Sequence, residues 1–133
     1  MKDLKASDVM VRPVVSAKIH ASARDITLQL LNGLYSGMPV TDEEGKPIGM
    51  VTEFDLLEAA RSGKELVKTT AEDVMTKDVF TVDEATPVLD IVKIMKEKNI
   101  IRLPVTQDGK LVGIIARCDI LKTLIEPEFV TYM

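Results

Sequence analysis

Val9-Met10 recurs as Val74-Met75, 65 positions further on, and the match is one of an ordered series. At the same offset Asp8 falls on Asp73, Val14 on Val79, Asp25 on Asp90, Ile26 on Ile91, and Pro39-Val40-Thr41 on Pro104-Val105-Thr106. The offset then drops to 64, where Gly45-Lys46 falls on Gly109-Lys110, Gly49 on Gly113, Asp55 on Asp119 and Leu57 on Leu121. Identities in a fixed order with a single-residue slip mark a duplication. Whatever one copy folds into, the chain contains twice. A copy of about 60 residues buries too little surface to stand well alone, so the two are expected to pack together.

Each copy reads as β-α-β-β-α. The clearest stretch is Ile100–Leu121, where Asp108-Gly109 separates two β-branched runs, the strongest short hairpin signal because Gly takes positive φ freely. Gly113 inside the second run suggests a bulge or a close backbone approach. The first copy repeats this as Gly37–Thr41, a turn over Glu44-Gly45, and Pro47–Thr52. Ahead of each hairpin the sequence predicts a short helical turn (Ser7–Met10, Thr70–Asp73), a brief strand (Val14–Ser16, Val79–Val82) and an amphipathic helix. In the first copy Ser22 and Asp25 box the helix start, Ile26, Leu30 and Leu34 form its stripe, and Asn32-Gly33 stop it. In the second, Thr86 caps, Pro87 takes the first helical position, Val88, Ile91, Val92 and Met95 form the stripe, and Asn99 ends it. Asp55–Arg61 is a helix ended by Ser62-Gly63. Pro127 is expected to stop the last helix near Glu126. The resulting division is 8–61, a linker 62–72, 73–122, and a tail 123–133.

With 46% hydrophobic residues, no Trp, 3 Phe and 2 Tyr, the core must be Val, Ile, Leu and Met. The net charge of −4 argues against a general nucleic-acid or anionic-membrane binder. No apolar run approaches the roughly 18 residues of a spanning helix, and no signal peptide is visible, so the expected location is the cytoplasm. Cys118 and His20 are the single cysteine and single histidine, too few for a disulfide, a metal site or a nucleophilic triad. Cys118 aligns with Phe54 and is expected in a buried apolar slot; His20 is expected at the surface. The run Asp42-Glu43-Glu44 reads as a solvated hairpin tip, at most a weak cation site. No catalytic residues, metal or obligatory cofactor are expected.

The duplicated hairpins, each handing over to a helix at Asp55 or Asp119, resemble the cystathionine beta-synthase (CBS) domain, whose tandem pair, the Bateman module, is regulatory. The resemblance covers Asp8 to about Leu121. It implies two units in pseudo-twofold tandem with their sheets face to face, clefts that take adenosine nucleotides or adenosyl compounds, and a homodimer. A regulated partner protein is implied but not identified.

Thr52-Glu53-Phe54-Asp55 is a capping box on its own terms. The same first turn gathers a hydroxyl, a carboxylate and free N–H groups, and the family's Thr/Ser-x-x-Asp motif contacts ribose. Arg102, in an otherwise apolar strand, reads either as a solvent-face residue or as a two-pronged phosphate ligand. Carried over crosswise, the resemblance implies one cleft built from Met50, Thr52 and Asp55 with Val79, Phe80, Ile101, Arg102 and Leu103. It implies a second, weaker cleft from Ile114 and Asp119 with Val14, Val15, Gly37 and Met38. There Ala116 replaces the hydroxyl and Gly37 the basic residue, with Arg117 as partial compensation. The expected function is an adenine-nucleotide sensor (AMP, ADP, ATP or an adenosyl compound); the alternative is a dimerisation scaffold with unoccupied clefts.

Overall fold

The structure, a computed structural model, describes residues 1–33 and 35–132, with side chains through residue 125. Leu34, expected on a helix stripe, lies outside the described residues. In chain order the elements are α1 (Ala6–Val9), β1 (Ala17–Lys18), α2 (Ala23–Gly33), β2 (Gly37–Thr41), β3 (Pro47–Thr52), α3 (Glu53–Arg61), a 3-10 turn (Leu66–Lys68), α4 (Ala71–Val74), β4 (Val82–Asp83), α5 (Val88–Lys98), β5 (Arg102–Gln107), β6 (Lys110–Ala116) and α6 (Arg117–Tyr132). They form mixed α/β structure on two three-stranded sheets, ordered β1-β2-β3 and β4-β5-β6. In each, the short first strand is parallel to the second and the hairpin is antiparallel.

The chain divides into two compact units, Val15–Val79 on the first sheet, and Met1–Val14 with Phe80–Met133 on the second. These packing units differ from the sequence repeats, because each sheet takes the helical turn that precedes the other repeat. In the second-sheet unit, the Ala6 N–H donates to the Thr86 carbonyl and the Val88 N–H to the Leu4 carbonyl, both at 2.8 Å. Ala6 and Val9 are buried there with Val88, Ile91, Leu103 and Ile115. In the first-sheet unit, the Ala71 N–H donates to the Ala21 carbonyl at 2.8 Å, and Ala71 is buried with Ala23, Ile26, Met38, Val40 and Val51.

Local chemistry accounts for the elements. Asp108 (φ 53°) and Gly109 (φ 80°) make the tight turn their types favour. In the longer first turn the Asp42 carboxylate accepts from the N–H groups of Glu44 and Lys46, both at 2.9 Å, which is what places those acidic residues at a solvated tip. Both hairpins carry a bulge, where the pairing skips Ile48 and Val112. Beside it a Cβ on Gly49 would stand 2.5 Å from Met75 Sδ and 3.0 Å from the Thr76 carbonyl; on Gly113 it would stand 2.4 Å from Met10 Sδ. Close approach therefore requires glycine at both. The Ser22 hydroxyl accepts from the Asp25 N–H at 3.0 Å, and Asn99 closes α5 in the left-handed region.

Several expectations change. The first ladder strands are two residues each, at Ala17–Lys18 and Val82–Asp83, because pairing begins only where the chain comes level with β2 and β5. Pro87 is itself the N-cap of α5 and no side chain caps that end; the Thr86 carbonyl is taken by Ala6 instead. Val92 is 39% exposed while Val88, Ile91 and Met95 are buried. It borders an open groove of about 480 Å³ with Met95, Ile120, Leu121 and Leu124. The region after residue 122 is not a separate tail, since α6 runs through Pro127 to Tyr132; proline biases its predecessor away from helical geometry without barring it. Cys118 is exposed and its counterpart Phe54 is 82% exposed. Both sit at the second position of their helix, on the face turned away from the unit's core, so the slot expected to be buried is a surface one.

Candidate functional site

The last residue of β3, Thr52, is also the N-cap of α3, with extended geometry (φ −114°, ψ 170°). The capping box is complete. The Asp55 N–H donates to Thr52 Oγ1 at 3.3 Å, the Thr52 N–H donates to Asp55 Oδ2 at 2.8 Å, and the Thr52 hydroxyl donates to the same oxygen at 3.0 Å. A further donor was not foreseen: the Thr76 hydroxyl reaches Asp55 Oδ1 at 3.3 Å. Thr76 is brought there by a bridge to Met50, in which each N–H donates to the other's carbonyl, at 3.0 and 2.8 Å. The signal in the sequence was faint. At the repeat offset Thr76 falls on Val11, a polar residue in one copy where the other is apolar.

Asp55 is half-buried and borders a hollow of about 150 Å³ shared with Glu58, Ser62, Lys64 and Asp73. Arg61 holds the Glu58 carboxyl below its ordinary value. The Asp73 carboxyl is held low by hydrogen bonds from the Thr70 N–H and hydroxyl and by the Lys64 charge. Lys64 and Arg61 partly offset the carboxylates at this rim, and the first turn of α3 adds the positive end of the helix dipole beside Asp55.

The second copy keeps the frame and the backbone donor and loses the two hydroxyl donors. The Ala116 N–H donates to Asp119 Oδ2 at 2.7 Å, Ala116 has no hydroxyl, and Val11 takes Thr76's place in a bridge to Ile114. Across the hairpins Gly37 pairs with Thr52 and Arg102 with Ala116. Each sheet thus has either the hydroxyl or the cation at that end, never both.

Of the residues expected to bind, Val15, Gly37, Met38, Met50, Thr52, Asp55 and Val79 belong to the first-sheet unit. Val14, Phe80, Ile101, Arg102, Leu103, Ile114, Arg117 and Asp119 belong to the second. Met38 and Leu103 are fully buried in their cores, so they can offer a ligand backbone groups but no side chain. Val15, Phe80 and Ile101 are 36%, 42% and 57% exposed, apolar surfaces of the kind a flat heterocycle covers. Lys98 Nζ lies 5.2 Å from the centre of the Phe80 ring. Arg102 is half-buried at the start of β5. Arg117 donates through Nε to the Ile100 carbonyl at 3.2 Å and through a terminal nitrogen to Asn99 Oδ1 at 3.5 Å. It closes the end of α5, which leaves it less to give an anion than a solvated arginine would have. His20 is exposed and 3.6 Å from Glu43. Among the described residues no group of three or more His, Cys, Asp or Glu is placed to hold a metal ion, and no helix is long and apolar enough to cross a membrane.

The CBS domain family matches this chain twice, over residues 6–62 and 71–126. An uncharacterized protein of Methanopyrus kandleri is 33% identical over 132 residues, 98% of this chain and 66% of that protein. The chain spans 22%, 40% and 32% of three further relatives from Methanocaldococcus jannaschii. Among solved structures, the CBS domain pair of protein MJ0100, in complex with 5′-methylthioadenosine and S-adenosyl-L-methionine, is 28% identical with a TM-score of 0.79 over 93% of this chain and 98% of that one. CBSX2 in complex with AMP is 26% identical with a TM-score of 0.80, again over 93% and 98%.

Proposed function

This chain belongs to the CBS domain family and carries the domain twice, and from that premise we propose that it is a non-catalytic regulatory module whose ligand is an adenosyl compound: AMP, ADP, ATP or a relative such as S-adenosylmethionine. The observation that carries the reading is the Thr52–Asp55 cap, a carboxylate and a hydroxyl fixed at a helix start by three hydrogen bonds. Solved pairs of the same family hold AMP, or S-adenosylmethionine and methylthioadenosine. Asp55 would take ribose, the α3 N-terminus and Arg102 phosphate, and backbone and apolar groups of Met50, Val79, Phe80, Ile101 and Leu103 the adenine. The site around Asp119, without the hydroxyl and with Gly37 in place of an arginine, would bind about 10- to 100-fold more weakly, the loss of one charge-assisted contact. The module would act in the cytoplasm as a homodimer, passing ligand state to a partner protein through differential affinity for two arrangements of its parts.

A second reading, a dimerisation scaffold without ligand, is favoured by the exposed apolar residues Phe54, Leu57, Leu121, Leu124 and Ile125, each at least half exposed. A thermal-shift panel of AMP, ADP, ATP, S-adenosylmethionine and NAD separates the two. A true ligand at 100 times its Kd adds about 2.7 kcal/mol, and Arg102→Ala should remove most of a phosphate-bearing ligand's effect. No shift with any compound leaves the scaffold. Calorimetry showing two equal sites per chain would overturn the asymmetry.

A further inference from the structure

We propose that Thr76 restricts Asp55 to a single ligand hydroxyl, so that this site tells the two hydroxyls of a ribose apart. The inference rests on the adenosyl reading and adds to it a residue that sets specificity through Asp55.

An ionised carboxylate offers about four acceptor positions. On Asp55, Oδ2 is filled by the N–H and the hydroxyl of Thr52. That hydroxyl is itself satisfied, because it also accepts from the Asp55 N–H. Oδ1 takes the Thr76 hydroxyl at 3.3 Å, which leaves one acceptor position on the carboxylate. Both bridge hydrogen bonds to Met50 fix the Thr76 backbone beside Asp55 and so keep its hydroxyl within reach of Oδ1. The duplicate shows the alternative. With Ala116 and Val11 in the corresponding places, Asp119 receives a single donor among the described residues, the Ala116 N–H, and keeps room for two hydroxyls. Asp119 has acceptor positions for both hydroxyls of a ribose, and Asp55 for one.

The test is calorimetric titration with AMP, 2′-deoxy-AMP and 3′-deoxy-AMP. It is done on protein carrying Asp119→Asn, which keeps the acceptor for Ala116 while disabling the second carboxylate. The expected result is a loss of about 10- to 100-fold for one deoxy analogue and near-parental affinity for the other. Thr76→Val should open the second position, so that the tolerated analogue also loses affinity relative to AMP; Thr76→Ser, which retains the hydroxyl, should behave as the parent. Unchanged melting curves without ligand show that each variant is folded. Equal losses for both analogues in the parent, or a Thr76→Val protein with the parent's ratio, overturn the inference and leave the adenosyl reading standing. No binding of AMP by the Asp119→Asn protein overturns the reading at Asp55 and the inference with it.

Discussion

Replacing Asp55 tests capping and binding separately, because the two depend on different properties of the same side chain. Asp55→Ala removes acceptors for Thr52 N–H, Thr52 Oγ1 and Thr76 Oγ1. The two hydroxyls can turn to water, but the half-buried N–H loses its partner, so the apo protein should lose about 1–2 kcal/mol, a fall in Tm of roughly 3–8 °C for a domain of this size. Asp55→Asn keeps a carbonyl oxygen for the Thr52 N–H and should cost about half as much, while losing the charge a ribose hydroxyl would use. Ligand at 100 times the parental Kd stabilises the parent by about 2.7 kcal/mol; a 10- to 100-fold weaker site leaves about 1.4 to 0.4 kcal/mol. Asp55→Asn should therefore melt close to the parent alone and far below it with ligand, by differential scanning fluorimetry. Asp119→Ala, which removes one cap bond, should lower the apo Tm with little effect on the ligand shift. A parental ligand shift in Asp55→Asn would refute the role of this carboxylate in binding.

Gly49→Ala should destabilise by about 1–3 kcal/mol in urea unfolding, since the new methyl meets the Thr76 carbonyl at 3.0 Å as well as Met75. Gly113→Ala meets side-chain atoms of Met10 alone and should cost less. The lowered Asp73 carboxyl stabilises the fold above the ordinary value of 3.8, and the contribution is lost as the pH falls through the lowered value. Asp73→Asn should accordingly be less stable than the parent at neutral pH, with the gap closing in acid melts below pH 3.8. Phe54→Glu, at an 82% exposed position, should leave the fold intact and shift the proposed homodimer to monomer in light scattering; an unchanged mass would exclude that face as the interface.

The order of elements was legible because it is set locally. Asp108-Gly109 makes its turn whatever surrounds it, Thr52 caps α3 through a residue three positions away, and Asn99 ends α5 in its own left-handed conformation. The duplication then doubled every such signal. Thr76 was not legible as a partner of Asp55, since the two lie 21 positions apart and meet through a bridge to Met50 that no local pattern announces. The surface positions of Cys118 and Phe54 were hidden for a related reason: a helix's apolar residues identify a face to be covered without saying whether the same chain covers it.

What the amino-acid sequence by itself determined is therefore the repeated unit, its turns and caps, and the pair of carboxylates at Asp55 and Asp119. Only the tertiary structure decided which helical turn completes which sheet. Asp8-Val9-Met10 and Asp73-Val74-Met75 are the same tripeptide, so local propensity cannot assign one to the first sheet and the other to the second. The assignment is made by burial: Ala6 and Val9 fill the space beside Val88 and Ile91, and Ala71 fills the space beside Ala23 and Ile26. That choice is also what brings Thr76 to Asp55 and Val11 to the neighbourhood of Ile114, making chemically unequal sites out of equal halves.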